Sequence, residues 1–239
     1  MSSDLDLKIL TGRKGYEFTL DGLRLTMFGA EQVYAPIKEA FHFQAHGLVS
    51  PPPTFGPVGQ TIPPGLVFQI GIWVADDGSI VPIRFLHIES ARIVIDVAGP
   101  SSAAAAIFQR LQDVTSEIKA PDGSPIIGEP VRALDFSELS VRLNSPLENL
   151  IAPKLRTVLI RAVRESSHDD SAMLLPSIVF RPAFQGTPFD GALNLADGRT
   201  FSLSARGGVA PEDHRVYSSA PLDTDAHITF IEALAASLS

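Results

Sequence analysis

Alternation of apolar and polar residues predicts strands near the start of the chain, followed by a helix. Residues 16–28 alternate on either side of Asp21-Gly22, a pair that suits a tight turn, and predict two paired strands. Residues 30–43 place apolar side chains at helical spacing, although Pro36 must kink this helix or shorten its first turn. The first segment is therefore expected to be a hairpin and a helix.

Three apolar segments and a second helix follow a stretch rich in proline. Residues 47–65 hold so many prolines and glycines that we expect a loop there. Residues 99–102, Gly-Pro-Ser-Ser, predict the start of a helix with a serine as its N-cap. Between these two segments, antiparallel neighbouring strands are predicted at 66–75, 80–88 and 91–99.

The second half of the chain repeats this order of elements after a turn-rich segment at 121–125. A strand is predicted at 131–143, and an amphipathic helix with basic residues at 146–164. A polar loop is expected at 165–171. Further strands are predicted at 175–184, 192–195, 200–206 and 214–221, and a closing helix from Asp223.

Collinear identities suggest that the two halves are copies of one unit. The matched residues lie 117 or 118 positions apart, and chance alignment of short apolar strands is the alternative explanation. They are Phe18 with Phe136, Arg24 with Arg142, and Pro36 with Pro153. We therefore expect an α+β fold of two diverged repeats, each a strand or hairpin, a helix, three strands and a helix. The repeats would span 1–120 and 121–239, with mainly antiparallel sheets packed with helices about a pseudo-twofold axis.

Composition limits the classes of function. Hydrophobic residues make up 45% and charged residues 19%, which is typical of a packed globule. The chain has no cysteine, so disulfides and thiolate sites are excluded, and a cytoplasmic location is expected. We expect no signal peptide, because the first residues lack a basic flank followed by an apolar stretch. We expect no membrane span, because no apolar stretch approaches the roughly 20 residues that a span needs. The net charge of −8 disfavours nucleic acid as a partner.

Candidate chemistry in the sequence is sparse. Glu39, His42 and His46 have a spacing that resembles metal-binding helices, but the chain lacks the His-Glu-x-x-His order. No metal or cofactor is therefore predicted, and these three residues are weak candidates. The sequence also has neither a G-x-S-x-G elbow nor a phosphate-binding glycine loop.

Two hypotheses for function follow. The first is a non-enzymatic subunit, adaptor or regulator that binds a protein partner or associates with itself through the Pro-rich loop and the edges of the sheets. Its contact residues would be Pro51, Pro52, Pro53, Phe55 and Pro57. The alternative is a small-molecule-binding protein or enzyme with a pocket between the two repeats. Its ligand-binding residues would be Arg92, Ser101, Ser102, Arg215 and Asp223.

Overall fold

Nine strands of the described part of the chain form one antiparallel sheet. The computed structural model describes residues 5–49, 65–75, 77–155, 157–158, 161, 177–180, 200–206 and 213–238. The strands are β1 (Leu7–Glu17), β2 (Ala45–Val49), β3 (Gly65–Val74), β4 (Ile80–Glu89), β5 (Arg92–Val97), β6 (Arg132–Arg142), β7 (Ser177–Phe180), β8 (Phe201–Ala205) and β9 (Arg215–Ala220). Their order across the sheet is β2-β3-β4-β5-β1-β6-β9-β8-β7. Strand β1 therefore lies at the centre and joins the two halves of the chain by pairing with β6.

Helices cover one face of this sheet. They are α1 (Glu31–Ala40), α2 (Ser101–Thr115) and α3 (Thr224–Ser237), with short 3-10 helices at Leu25–Gly29 and Leu147–Leu150. Gly12 of β1 and Ser137 of β6 are paired in register and therefore point to the same face. The start of α2 lies against Gly12, and Ser137 bonds to a histidine of α3. Helices α2 and α3 thus share that face, which we call the helix face.

The apolar core between sheet and helices has two parts. In the first half, Ile107 and Leu111 of α2 are fully buried among side chains of β3, β4 and β5, and the ring of Phe108 stacks on Tyr16 at 3.6 Å. In the second half, a smaller cluster forms around Leu139, Val216 and other side chains of β6, β8, β9 and α3. Burial of these surfaces stabilises the fold by about 25 cal/mol per Å² of apolar area.

The predicted α+β architecture with a large antiparallel sheet is confirmed. Helix α1 occupies ten of the fourteen residues predicted, and Val33 and Ile37 point into the core as their spacing indicated. Strands β3, β4 and β5 are antiparallel neighbours as predicted. The predicted strands at 131–143, 200–206 and 214–221 correspond to β6, β8 and β9, and α3 begins at Thr224 with Asp223 as its N-cap.

Three expectations are wrong. Residues 16–28 do not form a hairpin, because the strand is β1, ends at Glu17, and is followed by a turn at 20–21 and a 3-10 helix. In the segment 47–65, residues 47–49 belong to β2 and Gly65 to β3, and not to a loop. The N-cap of α2 is Pro100, which has no side-chain cap, because the hydroxyl of Ser101 bonds to Thr224 instead.

Several predicted segments lie partly or wholly outside the described residues. These are the loop beyond Val49, the polar loop at 165–171, the strand at 192–195, and parts of the segments at 146–164 and 175–184. Within 146–164, the described residues include the 3-10 helix at Leu147–Leu150 and helical residues at 153–155, 157–158 and 161. Within the described chain, none of the helices is both long enough and apolar enough to cross a bilayer.

Candidate functional site

Charged and aromatic side chains gather on the face of the sheet that points away from α2 and α3. Arg13 pairs in register with Asp96 of β5 on one side and with Phe136 of β6 on the other. Because neighbouring residues of a strand point to opposite faces, Arg13 lies on the face opposite Gly12. We call this face, which carries Arg13, Phe85, Asp96, Phe136 and Glu138, the polar face.

An ionic network occupies the centre of the polar face. The guanidinium of Arg13 contacts Asp96 at 2.6 Å and lies between the rings of Phe85 and Phe136, 5.6 and 5.2 Å from their centres. Arg84 lies 3.6 Å from the same carboxylate and donates a hydrogen bond of 2.5 Å to Thr11. Burial raises the pKa of Asp96, although the two guanidinium groups act in the opposite direction. This network links β1, β4, β5 and β6 by side chains as well as by backbone bonds.

A second cluster of ionisable side chains lies further along the polar face. Nδ1 of His87 is 3.3 Å from Oε1 of Glu89, and both side chains are more than nine-tenths buried. Arg92 lies beside Glu17, with 3.9 Å between their nearest charged atoms. Within the described chain, Nε2 of His87, Oε1 of Glu89 and Nε of Arg92 are buried without a hydrogen-bond partner. Burial raises the pKa of Glu89 to about 7 and lowers that of His87.

The far end of the β3–β4 hairpin exposes four large apolar side chains. Val74 pairs with Ile80, while Trp73 and Val81 next to them pack against the core, so Ile72, Val74 and Ile80 point away from it. Ile70 is also exposed and has a φ of 55°, in the left-handed region that β-branched residues rarely adopt. Together these residues form what we call the apolar ridge. Their exposed fractions are 59% for Ile70, 40% for Ile72, 54% for Val74 and 67% for Ile80.

The two helices of the helix face meet at their N-termini. The backbone N–H of Ser101 donates to the hydroxyl of Thr224 at 2.8 Å, and the N–H of Thr224 donates to the hydroxyl of Ser101 at 3.0 Å. Asp223 caps α3 by accepting from the N–H of Ala226. The buried polar groups of this junction thus satisfy each other, which favours a structural role.

His227 of α3 is buried between two serines. Oγ of Ser137 donates to the carbonyl of Leu222 and lies 2.8 Å from Nδ1 of His227. Since the serine has one hydrogen, Nδ1 is assigned as the protonated nitrogen, and Nε2 accepts from Ser218 at 2.8 Å. A neutral imidazole satisfies this arrangement. Burial correspondingly lowers the pKa of His227 to about 4.

The structure does not bring the five predicted ligand-binding residues together. Ser101 bonds to Thr224 at the helix junction, Asp223 is the N-cap of α3 beside it, and Ser102 is exposed. Arg92 lies beside Glu17, where β1 ends. Arg215 lies at the opposite end of β1, where it contacts Asp6 and Asp213.

The weak metal candidates do not form a site either. Helix α1 ends at Ala40, so His42 lies beyond it with a φ of 51°, and His46 belongs to β2, where it stacks on Tyr34. Nowhere in the described residues do three histidine or acidic side chains come close enough to hold a metal ion. The Pro-rich contact residues from Pro51 to Pro57 lie outside the described residues.

The apolar ridge and the ionic network were not predicted from the sequence. Residues 66–75 are apolar except for Gln69 and Gly71, which indicates a strand buried on both faces and so conceals the exposed half. The signal for the network was stronger, because Arg84 and Asp96 are charged residues inside otherwise apolar strands. A charge in such a strand indicates a partner across the sheet.

Comparison with known proteins gives no relative from which a function can be transferred. No protein-family model and no curated protein matches the chain.

Proposed function

We propose that this protein is a non-enzymatic subunit, adaptor or regulator that binds a protein partner through the apolar ridge. The observation that carries the proposal is the exposure of Ile70, Ile72, Val74 and Ile80 on one hairpin. Scattered apolar residues on a surface need no explanation, but adjacent ones at the end of a sheet are typical of a contact surface. Within such contact surfaces, the buried centre is apolar and poor in charge.

The backbone at Ile70 supports this proposal. A non-glycine residue with left-handed φ costs about 1 to 3 kcal/mol, and the cost is high for a β-branched side chain. Ile70 bears this cost while more than half exposed, so its side chain gains little from the core in return. Strain of this kind is concentrated at functional surfaces.

The charges of the polar face favour a protein partner over nucleic acid. Arg13 and Arg84 contact Asp96, Arg92 lies beside Glu17, and Arg215 contacts Asp6. Arginines that are neutralised by neighbouring carboxylates offer little attraction to a phosphate backbone. The net charge of −8 acts in the same direction.

Capture of partners with matched variants tests the proposal. Tagged wild-type chain, the double variant Ile72→Ser/Val74→Ser and the control Leu20→Ser would be cross-linked in extract of the source cells. Leu20 is 84% exposed and lies on a turn outside the ridge. We expect proteins that the wild type and the control both retain and that the ridge variant loses by tenfold or more. Partners that survive the ridge variant, or capture of none by a chain that is monomeric by light scattering, would contradict the proposal.

A substitution at Ile70 separates binding from stability. We expect Ile70→Asn to raise the free energy of unfolding by about 1 kcal/mol, because asparagine tolerates left-handed φ, and to weaken partner capture. Ile72→Asn is the matched control, since it removes a similar exposed side chain from a residue without positive φ. Urea denaturation measures the free energy of unfolding of both variants. If Ile70→Asn is no more stable than Ile72→Asn, the strain argument is wrong.

We also propose that the chain consists of two diverged repeats related by a pseudo-twofold axis. The strand order supports this, since β1, β5, β4 and β3 run outward from the centre on one side and β6, β9, β8 and β7 on the other. Gly12 pairs with Ser137, and their outer partners are Val97 and Ala220. Helices α2 and α3 each begin four residues after those partners. Gly12 and Ser137 are thus the equivalent residues of the two proposed repeats, and the pseudo-twofold axis passes between them.

The residue matches in the sequence do not follow this axis. Phe18 is buried in the core beyond the end of β1, whereas Phe136 lies on the polar face within β6. An experimental structure tests the repeat directly. We expect the two sets of strands and helices to superpose with Gly12 on Ser137, and a superposition that needs a different strand order would refute the duplication.

The alternative function, small-molecule binding or catalysis, is favoured by one observation. His87 and Glu89 are buried ionisable side chains in contact, with shifted pKa values, which is typical of binding and active sites. A pocket was expected at the junction of the two halves, and this pair does not lie there. Self-association and a cytoplasmic location are further predictions, the latter supported by the absence of cysteine.

A further inference from the structure

The buried pair of His87 and Glu89 poses a problem of proton placement. Both side chains belong to β4 and point to the polar face, with Nδ1 and Oε1 3.3 Å apart. A pair of charges so deeply buried is stable only when further hydrogen bonds satisfy the remaining atoms. A histidinium would need an acceptor at Nε2 as well as at Nδ1.

Among the described residues, no such acceptor bonds to Nε2 of His87. Its Nε2 lies against the backbone of Gly65, where an added Cβ would be 2.8 Å away, and it has no hydrogen-bond partner in the described chain. A protonated imidazole would therefore bury an unsatisfied N–H together with its charge. The geometry favours a neutral imidazole.

Burial of Glu89 disfavours its charge, whereas the charge of Arg92 of β5 acts in the opposite direction. Arg92 also contacts Glu17 of β1, at 3.9 Å. From β3, the residues opposite the pair are Gly65 and Val67, which carry no charge. Arg132 of β6 pairs in register with Glu17, one strand further away. Residues 50–64, which precede β3 in the chain, contain no ionisable side chain.

We propose that His87 and Glu89 form a pH-sensitive switch that holds a proton on the Glu89 carboxyl and releases it as the pH rises. With its one ring hydrogen on Nδ1, the neutral imidazole faces Oε1 of the protonated carboxyl, and Nε2 carries no hydrogen that would need an acceptor. Release leaves a carboxylate buried at the end of β4, where it weakens the packing of β4 against β3 and β5. This inference is independent of partner binding at the apolar ridge.

The proposal has an unusual consequence for unfolding. In an unfolded chain between pH 5 and 6, glutamate is ionised and histidine is protonated. The folded pair holds the same number of protons, but on the other residue. The two residues' contributions to the pH dependence of stability therefore largely cancel in the wild type. Single substitutions remove this cancellation.

Urea unfolding at pH 5, 6, 7 and 8 tests the switch. In Glu89→Gln only His87 of the pair remains. From pH 5 to pH 7 the equilibrium constant for unfolding should therefore fall about tenfold further in this variant than in the wild type. In His87→Gln only Glu89 remains, and the unfolding constant should rise about tenfold over the same range. Glu129→Gln, which removes an equal charge from an exposed glutamate, should follow the wild type.

Two outcomes would overturn the switch. One is a pH dependence of both variants that parallels the wild type and Glu129→Gln. The other comes from carbon-13 NMR titration of the wild-type chain, which is decisive even if a variant does not fold. We expect the Glu89 carboxyl to titrate near pH 7 and the pKa of His87 to lie below its ordinary value. Titration of Glu89 below pH 5 refutes the proposal.

Discussion

His227 illustrates how a single polar residue can be buried at little cost. The imidazole is fully buried, donates to Ser137 through Nδ1 and accepts from Ser218 through Nε2. A neutral ring satisfies both nitrogens without burying a charge. The sequence shows a histidine in apolar surroundings, which indicated a structural role. Of its two partners, Ser218 of β9 is nine residues away in the chain, but Ser137 of β6 is 90 residues away.

A pH-dependent loss of stability should follow from His227. Its pKa is lowered from 6.5 to about 4, so the stability it contributes is present above pH 6.5 and is lost as the pH falls toward 4. We expect the wild type to lose about 3 kcal/mol more than His227→Gln between pH 7 and pH 4. Urea denaturation at both pH values measures this difference. Equal losses in the two proteins would show that the folded histidine titrates normally.

At the scale of elements, the position of α2 depends on one glycine. The first residues of α2 approach β1 so closely that a Cβ on Gly12 would overlap the backbone of Pro100 and Ser101. Gly15, three residues along the same strand, has only the Cβ of Leu134 nearby, at 3.9 Å. The two glycines look alike in the sequence, and only the packing of α2 distinguishes them.

Alanine at these two positions should therefore have opposite effects. We expect Gly12→Ala to lose about 3 kcal/mol of unfolding free energy, because the backbone of β1 and that of Pro100 and Ser101 must move apart. Gly15→Ala should be neutral or slightly stabilising, since glycine weakens a strand and the added methyl meets only ordinary contact. Chemical denaturation of both variants measures the difference. Equal stability of the two variants would mean that α2 does not start against β1.

At the scale of the whole molecule, one continuous sheet joins two cores of unequal size. The cluster under α1 and α2 contains most of the buried aromatic residues, whereas the cluster under α3 is built from a few aliphatic ones. The ladder between β1 and β6 and the junction of Ser101 with Thr224 connect the two. Stability in proteins follows local density of buried contacts, so the two parts should open at different free energies.

Native-state hydrogen exchange tests this asymmetry. We expect amides of β8, β9 and α3 to exchange through openings about 2 kcal/mol lower in free energy than those of β4, β5 and α2. Mass spectrometry after proteolysis resolves these segments. A common exchange free energy for both sets would indicate that the sheet opens only as one cooperative unit.

Much of the local structure follows from the sequence itself. Helical spacing of Val33 and Ile37 placed α1, the apolar runs placed β3 to β5, and Asp223 marked the start of α3. These features depend on neighbouring residues, and local propensity and periodicity record them. Strand β1 was missed because its glycines and basic residues interrupt the apolar pattern, although it lies at the centre of the sheet.

Only the tertiary structure decided which face each strand buries and which distant residues meet. Whether Ile72 is core or surface depends on which face of the hairpin the core covers, and the spacing of its neighbours does not record that. Arg13 and Asp96, which form an ion pair, are 83 residues apart in the sequence. The buried pair of His87 and Glu89 lies against the backbone of Gly65 on the neighbouring strand β3. The sequence determined the elements through local interactions, whereas contacts between distant strands determined the candidate sites.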